Sequence, residues 1–264
     1  MTHQKIEDTH LQADSRNLEL KYVGIKKLLY PIRFDDIGYV QFTNGFFDLS
    51  VSLDAQQKGA HLSRFIGMLQ EYHSKQSLTL SFENLPLWHR RMINKLEASY
   101  GSFTCAFSFF LEKKAPISKQ PSLLDYHLTL TIEGPKEHPE IKFKLKVPVT
   151  SLCPCSKEIS NYGAHNQRSF ITVSAVTSMP FKIKDLIHLI ERNSSCEIYS
   201  LLKRSDEKAV TEKAFEHPKF SEDIVRDIYL DIKSLPPILS KIKIESEHEE
   251  SIHHHNAYSV IVEE

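Results

Sequence analysis

A chain of 264 residues with 41% apolar and 25% charged side chains has an ordinary globular composition, with room for one large domain or two average ones. A formal net charge of −1 provides no global field to recruit nucleic acid, so an anionic ligand must be held by local basic groups. Four cysteines are too few for a disulfide scaffold, and no apolar run approaches the length of a membrane span.

Residues 1–18 are polar and read as an N-terminal arm. Its opening, MTHQKIEDTH, lacks the basic-then-apolar order of a signal peptide, so a cytoplasmic location is expected. From Leu20, LKYVGIKKLLYPIRF and GYVQFTNGFFDLSVSL read as strands, with Asp35, Asp36 and Gly38 turning between them. Leu62, Phe65, Ile66 and Leu69 recur at helical spacing and predict a helix. A second helix is expected over about 87–99, opened by Asn84 and Pro86 and closed near Gly101. Two strands follow, carried by Phe103, Cys105, Phe107, Phe109 and Leu111 and by Leu124, Tyr126, Leu128, Leu130 and Ile132. Residues 134–139 turn the chain into another strand, where Ile141, Phe143, Leu145, Val147 and Val149 alternate with Lys142, Lys144, Lys146 and Pro148. That strand is expected over 141–153, its successor over 167–177. A helix over 182–192 carries Ile183, Leu186, Ile187 and Ile190 on one face. Another begins near Ser221 with Ile224, Val225, Ile228 and Ile232 inward, and strands at 242–245 and 256–262 close the chain.

Both halves therefore read strand–strand–helix–helix–strand–strand, without a residue-level repeat. Units over 19–137 and 138–264 are expected to follow the arm, the second carrying the CPC and HxH motifs. This order argues for antiparallel sheet with helices on one face, an α+β architecture. Neither GxGxxG nor GxxxxGK[ST] occurs, so the common phosphate-cradling loops are absent from the sequence.

The chemistry concentrates in residues 149–169, VTSLCPCSKEISNYGAHNQRS. Continuing the alternation of the preceding strand puts Cys153 and Cys155 on its apolar side, two thiols side by side and turned inward. A disulfide between them is disfavoured, because Cα atoms two apart in extended chain sit about 7 Å from each other and Pro154 stiffens the link. As thiolates they are soft ligands for zinc or iron, or nucleophiles; as thiols they are two small buried hydrophobes. Cys105, among phenylalanines, reads as core, and Cys196 has no evident role. His165 is either a metal ligand or a surface histidine satisfied by its neighbours. His253 and His255 share one strand face with His254 opposite, and the run 249–255 reads equally as a solvated loop or a ligand cluster. Glu207 and Glu222 read as surface charge, with Glu222 also suited to the positive start of a helix. An open catalytic metal site needs three protein ligands and a position for water, and the chain supplies thiolate, imidazole and carboxylate.

Residues 151–169, with HLSRF at 61–65, KRSDEK…TEKAFEHPKFSEDIVRD at 203–227 and ESIHHHNAY at 250–258, resemble the prokaryotic type IB GTP cyclohydrolase I family, over nearly the whole chain beyond residue 15. The resemblance implies a tunnelling fold of two tandem ββααββ units and a homotetramer with sites between subunits. It implies hydrolytic opening of the guanine ring of GTP, loss of formate and formation of 7,8-dihydroneopterin triphosphate, the first step towards folate. Carried over by motif, Cys153, His165 and Glu207 would hold a divalent metal, zinc or manganese, with iron as the alternative. Cys155 would touch the substrate and be needed for turnover. Glu222 would anchor the purine edge. Glu250, His253 and His255 would assist proton transfer or water positioning, and Arg168, Lys157, Arg64 and His61 would meet the triphosphate. Two rivals accompany this reading. One is the archaeal-type enzyme, which uses ferrous iron and yields a cyclic phosphate; the other is a non-catalytic Cys/His metal-binding protein.

Overall fold

The computed structural model describes residue 10 and residues 12–74 and 79–263. The first elements are β1 (Leu20–Asp36), β2 (Tyr39–Leu53), α1 (Ser63–Ser74), β3 (Thr79–Leu80), α2 (Leu85–Leu96), β4 (Tyr100–Lys114) and β5 (Pro121–Pro135). They are followed by β6 (Glu140–Leu152), α3 (Pro154–Ile159), β7 (Asn166–Thr177), α4 (Ile183–Arg192) and β8 (Cys196–Glu197). The chain ends with α5 (Arg204–Glu216), α6 (Ser221–Ser234), β9 (Leu239–His248) and β10 (Ala257–Val262). This is an α+β protein, as the alternation and helical spacing indicate.

Contacts divide the chain into two compact units, each assembled from non-contiguous segments. One comprises residues 1–35, 42–106 and 130–141, and the other residues 36–41, 107–129 and 142–264, so β4 and β5 contribute residues to both. Much of the polar arm, residues 1–9 and 11, lies outside the described residues. Of the rest, Ala13 forms an isolated bridge with Gln57 and Asp14 pairs with Arg16.

In the first unit the hydrogen-bonded strand order is β5-β4-β2-β1-β3. Helices α1 and α2 bury Phe65, Met68 and Leu69 and Leu85, Trp88, Met92 and Ile93. The second helix stops at Leu96 rather than running to residue 99, because Glu97 takes a left-handed conformation (φ 56°). Gly101 is not its terminator. It lies in β4, where a Cβ would come within 2.9 Å of the Met92 side chain.

In the second unit the order is β10-β9-β7-β6-β5, with β8 paired to β6. Helices α4 and α6 bury Ile183, Leu186, Ile187 and Ile190 and Ile224, Val225, Ile228 and Ile232, the stripes that the sequence predicts. Lys182 offers α4 no side-chain cap; the buried Asp36 accepts from the N–H groups of Ile183 (2.8 Å) and Lys184 (3.2 Å) instead. Helix α5 has no counterpart in the expected elements. Its only buried residues are Asp206 and Ala214, so it lacks the apolar stripe that marks a helix in sequence. Among the described residues no helix is long and apolar enough to cross a membrane.

The inward rows of three neighbouring strands change character at one end. On β6 the buried row Phe143, Leu145, Val147, Val149 continues as Ser151. On β9, Ile242 and Ile244 are followed by Ser246 and His248, and on β7, Val173 and Ile171 are preceded by Ser169 and Gln167. Ser169 pairs with His248 in the antiparallel register of β7 and β9. A polar layer therefore caps the apolar core where the motif-bearing loops begin.

Candidate active site

Strand β6 ends at Leu152, whose side chain packs with Cys196 and Ala214 in a small buried cluster. The chain then turns. Cys153 is the N-cap of α3, its Sγ accepting from the Ser156 N–H at 3.4 Å, and Pro154 occupies the first turn, where its missing donor costs nothing. Cys153 is half-buried and Cys155 exposed. The expectation of two inward thiols on a strand is thus corrected: the side-chain period changes from two to 3.6 residues between them, and the thiols part. Cys105 and Cys196 are buried, and burial pushes the Cys196 thiol up to about 12.

Beyond α3, Gly163 (φ 130°) allows a reversal that other residues resist. The loop then brings His165 back to Cys153. The Cys153 N–H donates to the His165 carbonyl at 3.1 Å, and the His165 N–H donates to Ser156 Oγ at 3.2 Å. These two motif residues are therefore neighbours, held by backbone rather than by their functional atoms.

Beneath them runs a polar network. His165 Nδ1 lies 2.9 Å from Gln167 Oε1, and Gln167 Nε2 donates to Ser151 Oγ at 2.9 Å and to Glu250 Oε1 at 3.3 Å. Glu250 Oε2 lies 3.8 Å from His165 Nδ1. Ser151 Oγ also bonds Ser169 Oγ (2.7 Å) and His248 Nδ1 (3.2 Å). Nε2 of His248 is buried with no hydrogen-bond partner among the described residues. Burial lowers the His248 pKa to about 4, against the opposing pull of the Glu222 carboxylate. Glu222 sits in the first turn of α6, where its own N–H and the Ser221 hydroxyl hold its carboxyl below the usual range.

Glu207 is carried by the first turn of α5, and Asp206 fixes that turn. The fully buried Asp206 carboxylate accepts from the N–H groups of Ile117 (2.8 Å), Ser118 (2.8 Å) and Lys203 (2.9 Å) and from the Ser118 hydroxyl (2.6 Å). Burial opposes its charge, yet these bonds hold its carboxyl well below the usual range. Val210 and Ala214 of the same helix meet Leu152 and Ala164. Lys157 Nζ donates to the Phe215 carbonyl and stands 4.4 Å from the centre of the Phe215 ring, so the ammonium proposed for a phosphate already has a structural role. Arg168 is exposed, its carbonyl accepting from the Glu249 N–H at 2.9 Å.

His253 and His255 lie on an exposed bend over 251–255 rather than on a strand. Their rings still stack, with centroids 5.3 Å apart. His61 and Arg64 belong to the first unit, where they line a cavity of about 140 Å³ with His10, Gln12 and Glu97. Among the described residues no three Cys, His, Asp or Glu side chains stand close enough to share a metal ion. Cys153 and His165 are brought together; Glu207 does not close the set.

Ser151, Gln167, Ser169, His248 and Asp206 did not emerge from motif reasoning. For Ser151 and His248 the signal was in the alternation itself, since Ser151 occupies the next inward position after the apolar row of β6 and His248 the second after that of β9, beyond Ser246. Asp206 gave none, because its partners at 117–118 are remote in sequence.

In fold, the chain is similar to the crystal structure of uricase from Arthrobacter globiformis, with a TM-score of 0.52 at 9% identity, covering 92% of this chain and 94% of that one. The shared architecture is the tunnelling fold. In sequence it is 46% identical to a GTP cyclohydrolase FolE2 of Dichelobacter nodosus over 99% of this chain and 98% of the relative. It is 44% identical to one of Nitrosococcus oceani, over 98% and 96% of the two chains. The family model that matches, over residues 6–259, is described as type I GTP cyclohydrolase FolE2. Matched along almost its whole length by model and relatives alike, the chain belongs to the type I GTP cyclohydrolase FolE2 family.

Proposed function

We propose that this protein is a GTP cyclohydrolase I of the type IB kind, opening the guanine ring of GTP, releasing formate and giving 7,8-dihydroneopterin triphosphate for folate synthesis. The observation that carries the reading is the meeting of Cys153 and His165 across a backbone hydrogen bond, with Glu250 3.8 Å from the imidazole. The chemistry of the donor set fits a divalent ion such as zinc or manganese. Cys153 offers a half-buried sulfur, His165 an imidazole with one nitrogen already bonded, and Glu207 an exposed carboxylate. A metal held by these three would supply Lewis-acid polarisation and an activated water.

The chain's own residues supply the rest. Glu222, kept ionised by the α6 N-terminus, accepts parallel N–H bonds from the purine edge and fixes the ring. Cys155, exposed in the first turn of α3, faces the substrate. Each C–N cleavage at C8 requires a proton on the departing nitrogen. Glu250 and the exposed pair His253 and His255 carry that transfer. Arg168, exposed on the surface, suits the triphosphate.

We further infer a cytoplasmic homotetramer with sites at subunit boundaries. Ile159 (83% exposed) and Tyr162 (101%) project from the site loop and Ile252 (64%) from the Glu250–His253 turn, apolar surface that a partner would cover. Incubating the purified protein with GTP and weighing the products tests the reading. Formate with 7,8-dihydroneopterin triphosphate supports it. A cyclic phosphate product would assign the archaeal-type reaction instead, and metal uptake without formate would leave a binding protein.

A further inference from the structure

We propose that Gln167 is a positioning residue that fixes His165 as its Nδ1–H tautomer, leaving Nε2 as the nitrogen with the free lone pair. A primary amide accepts on one side and donates on the other, so its partners determine which way it faces. On the Nε2 side stand Ser151 Oγ at 2.9 Å and the Glu250 carboxylate at 3.3 Å. A carboxylate oxygen can only accept. Turning the amide over would set Oε1 against it and discard a donor–acceptor pair, so the NH2 group faces Glu250. Oε1 is thereby left towards His165 Nδ1 at 2.9 Å, and since Oε1 only accepts, Nδ1 carries the hydrogen. Glu250 Oε2, 3.8 Å from the same nitrogen, favours the same proton position.

The amide cannot readily yield to water. Gln167 is 7% exposed on β7, and the hydroxyl it donates to is fully buried and bonded in turn to Ser169 and His248. The orientation of His165 is thus tied to the polar layer beneath the sheet end, and Glu250 is held beside it by the same side chain. A histidine ligand whose far nitrogen is held by such a partner binds its ion with a set ring direction. This consequence for metal binding rests on the reading above; the tautomer does not.

The test is 15N NMR of histidine-labelled, metal-free full-length protein, followed by zinc titration, in wild type, Gln167→Met and Gln167→Glu. Wild-type His165 is expected to show the Nδ1–H pattern. Gln167→Met fills the space without hydrogen bonds, so the Nε2–H form should appear and zinc affinity should fall 10- to 100-fold, the range for losing such a partner. Gln167→Glu keeps an acceptor for Nδ1 and should keep its hydrogen there, although it gives up the NH2 donated to Glu250; if the Met variant does not fold, the wild-type tautomer alone decides. Nε2–H in the wild type, or an unchanged tautomer in the Met variant, overturns the proposal. A wild type that shows the tautomer but takes up no zinc would sink the metal reading and leave the positioning role standing.

Discussion

His248 makes the stability of this protein depend on pH in a calculable way. Its imidazole is 3% exposed, bonded through Nδ1 to Ser151, and its pKa falls from an ordinary 6.5 to about 4 through burial. The unfolded chain therefore takes up a proton below about 6.5, whereas the folded chain resists until about 4. Stability is complete above the higher value, drains away as pH falls through the interval, and changes no further below it. Between pH 7.5 and 4.5 this one group is worth about 2.5 kcal/mol, at about 1.4 kcal/mol per tenfold change in protonation. His248→Leu removes the titrating group while Ser151 keeps Ser169 and Gln167 as partners. Urea unfolding of metal-free wild type and variant, at both pH values and one protein concentration, isolates the effect as a difference of differences. The wild type should lose about 2.5 kcal/mol more than the variant. Equal losses would show that His248 is protonated as readily folded as unfolded, and would refute the buried neutral imidazole.

Three other substitutions bear on the site. Cys155→Ala should abolish turnover while zinc uptake is unchanged, because Cys155 is exposed on α3 and lies outside the proposed ligand set; retained activity would remove its substrate role. Glu222→Gln replaces an ionised acceptor by a neutral one, and losing a charge-assisted bond of about 1.5–3 kcal/mol should lower kcat/KM for GTP roughly 10- to 100-fold. Unchanged kinetics would move the purine anchor elsewhere. Asp206→Asn breaks the carboxylate's set of four accepted bonds at the start of α5. Thermal melting with and without zinc should show a lower Tm in both cases and a smaller gain on adding zinc, since Glu207 follows directly; an undiminished zinc gain would separate Glu207 from the metal.

Much of the architecture could be read from alternation and helical spacing where an element buries one clean face, as α4 and α6 do, although Leu62 and Ile66 of the first expected helical stripe are exposed. Ile183, Leu186, Ile187 and Ile190, for example, are all inside. The features that escaped obey other rules. Helix α5 is polar and held by Asp206, whose partners lie on the turn between β4 and β5. The CPC segment continued the strand's alternation on paper, but a proline suited to a helix start and a sulfur able to cap it ended the strand at Leu152. The motif residues could be singled out only through the family resemblance, since spacing alone left His165 and the 249–255 run open and read Glu207 and Glu222 as surface charge; the structure brings Cys153, His165 and Glu250 together. The layer that orients them was legible only at Ser151 and His248, through the alternation, since Gln167 and Ser169 are individually unremarkable and acquire meaning only once β6 and β7 lie side by side.

The proposed reaction removes C8 of guanine as formate at a site built on residues 149–169. GTP labelled with 13C at C8, followed by NMR in the presence of the protein, tests it directly. The label is expected to leave the purine and accumulate as formate in step with GTP consumed, and Cys155→Ala protein is expected to leave it in place. Label that stays in the purine, under conditions where the wild-type protein is folded and carries its metal, would contradict it.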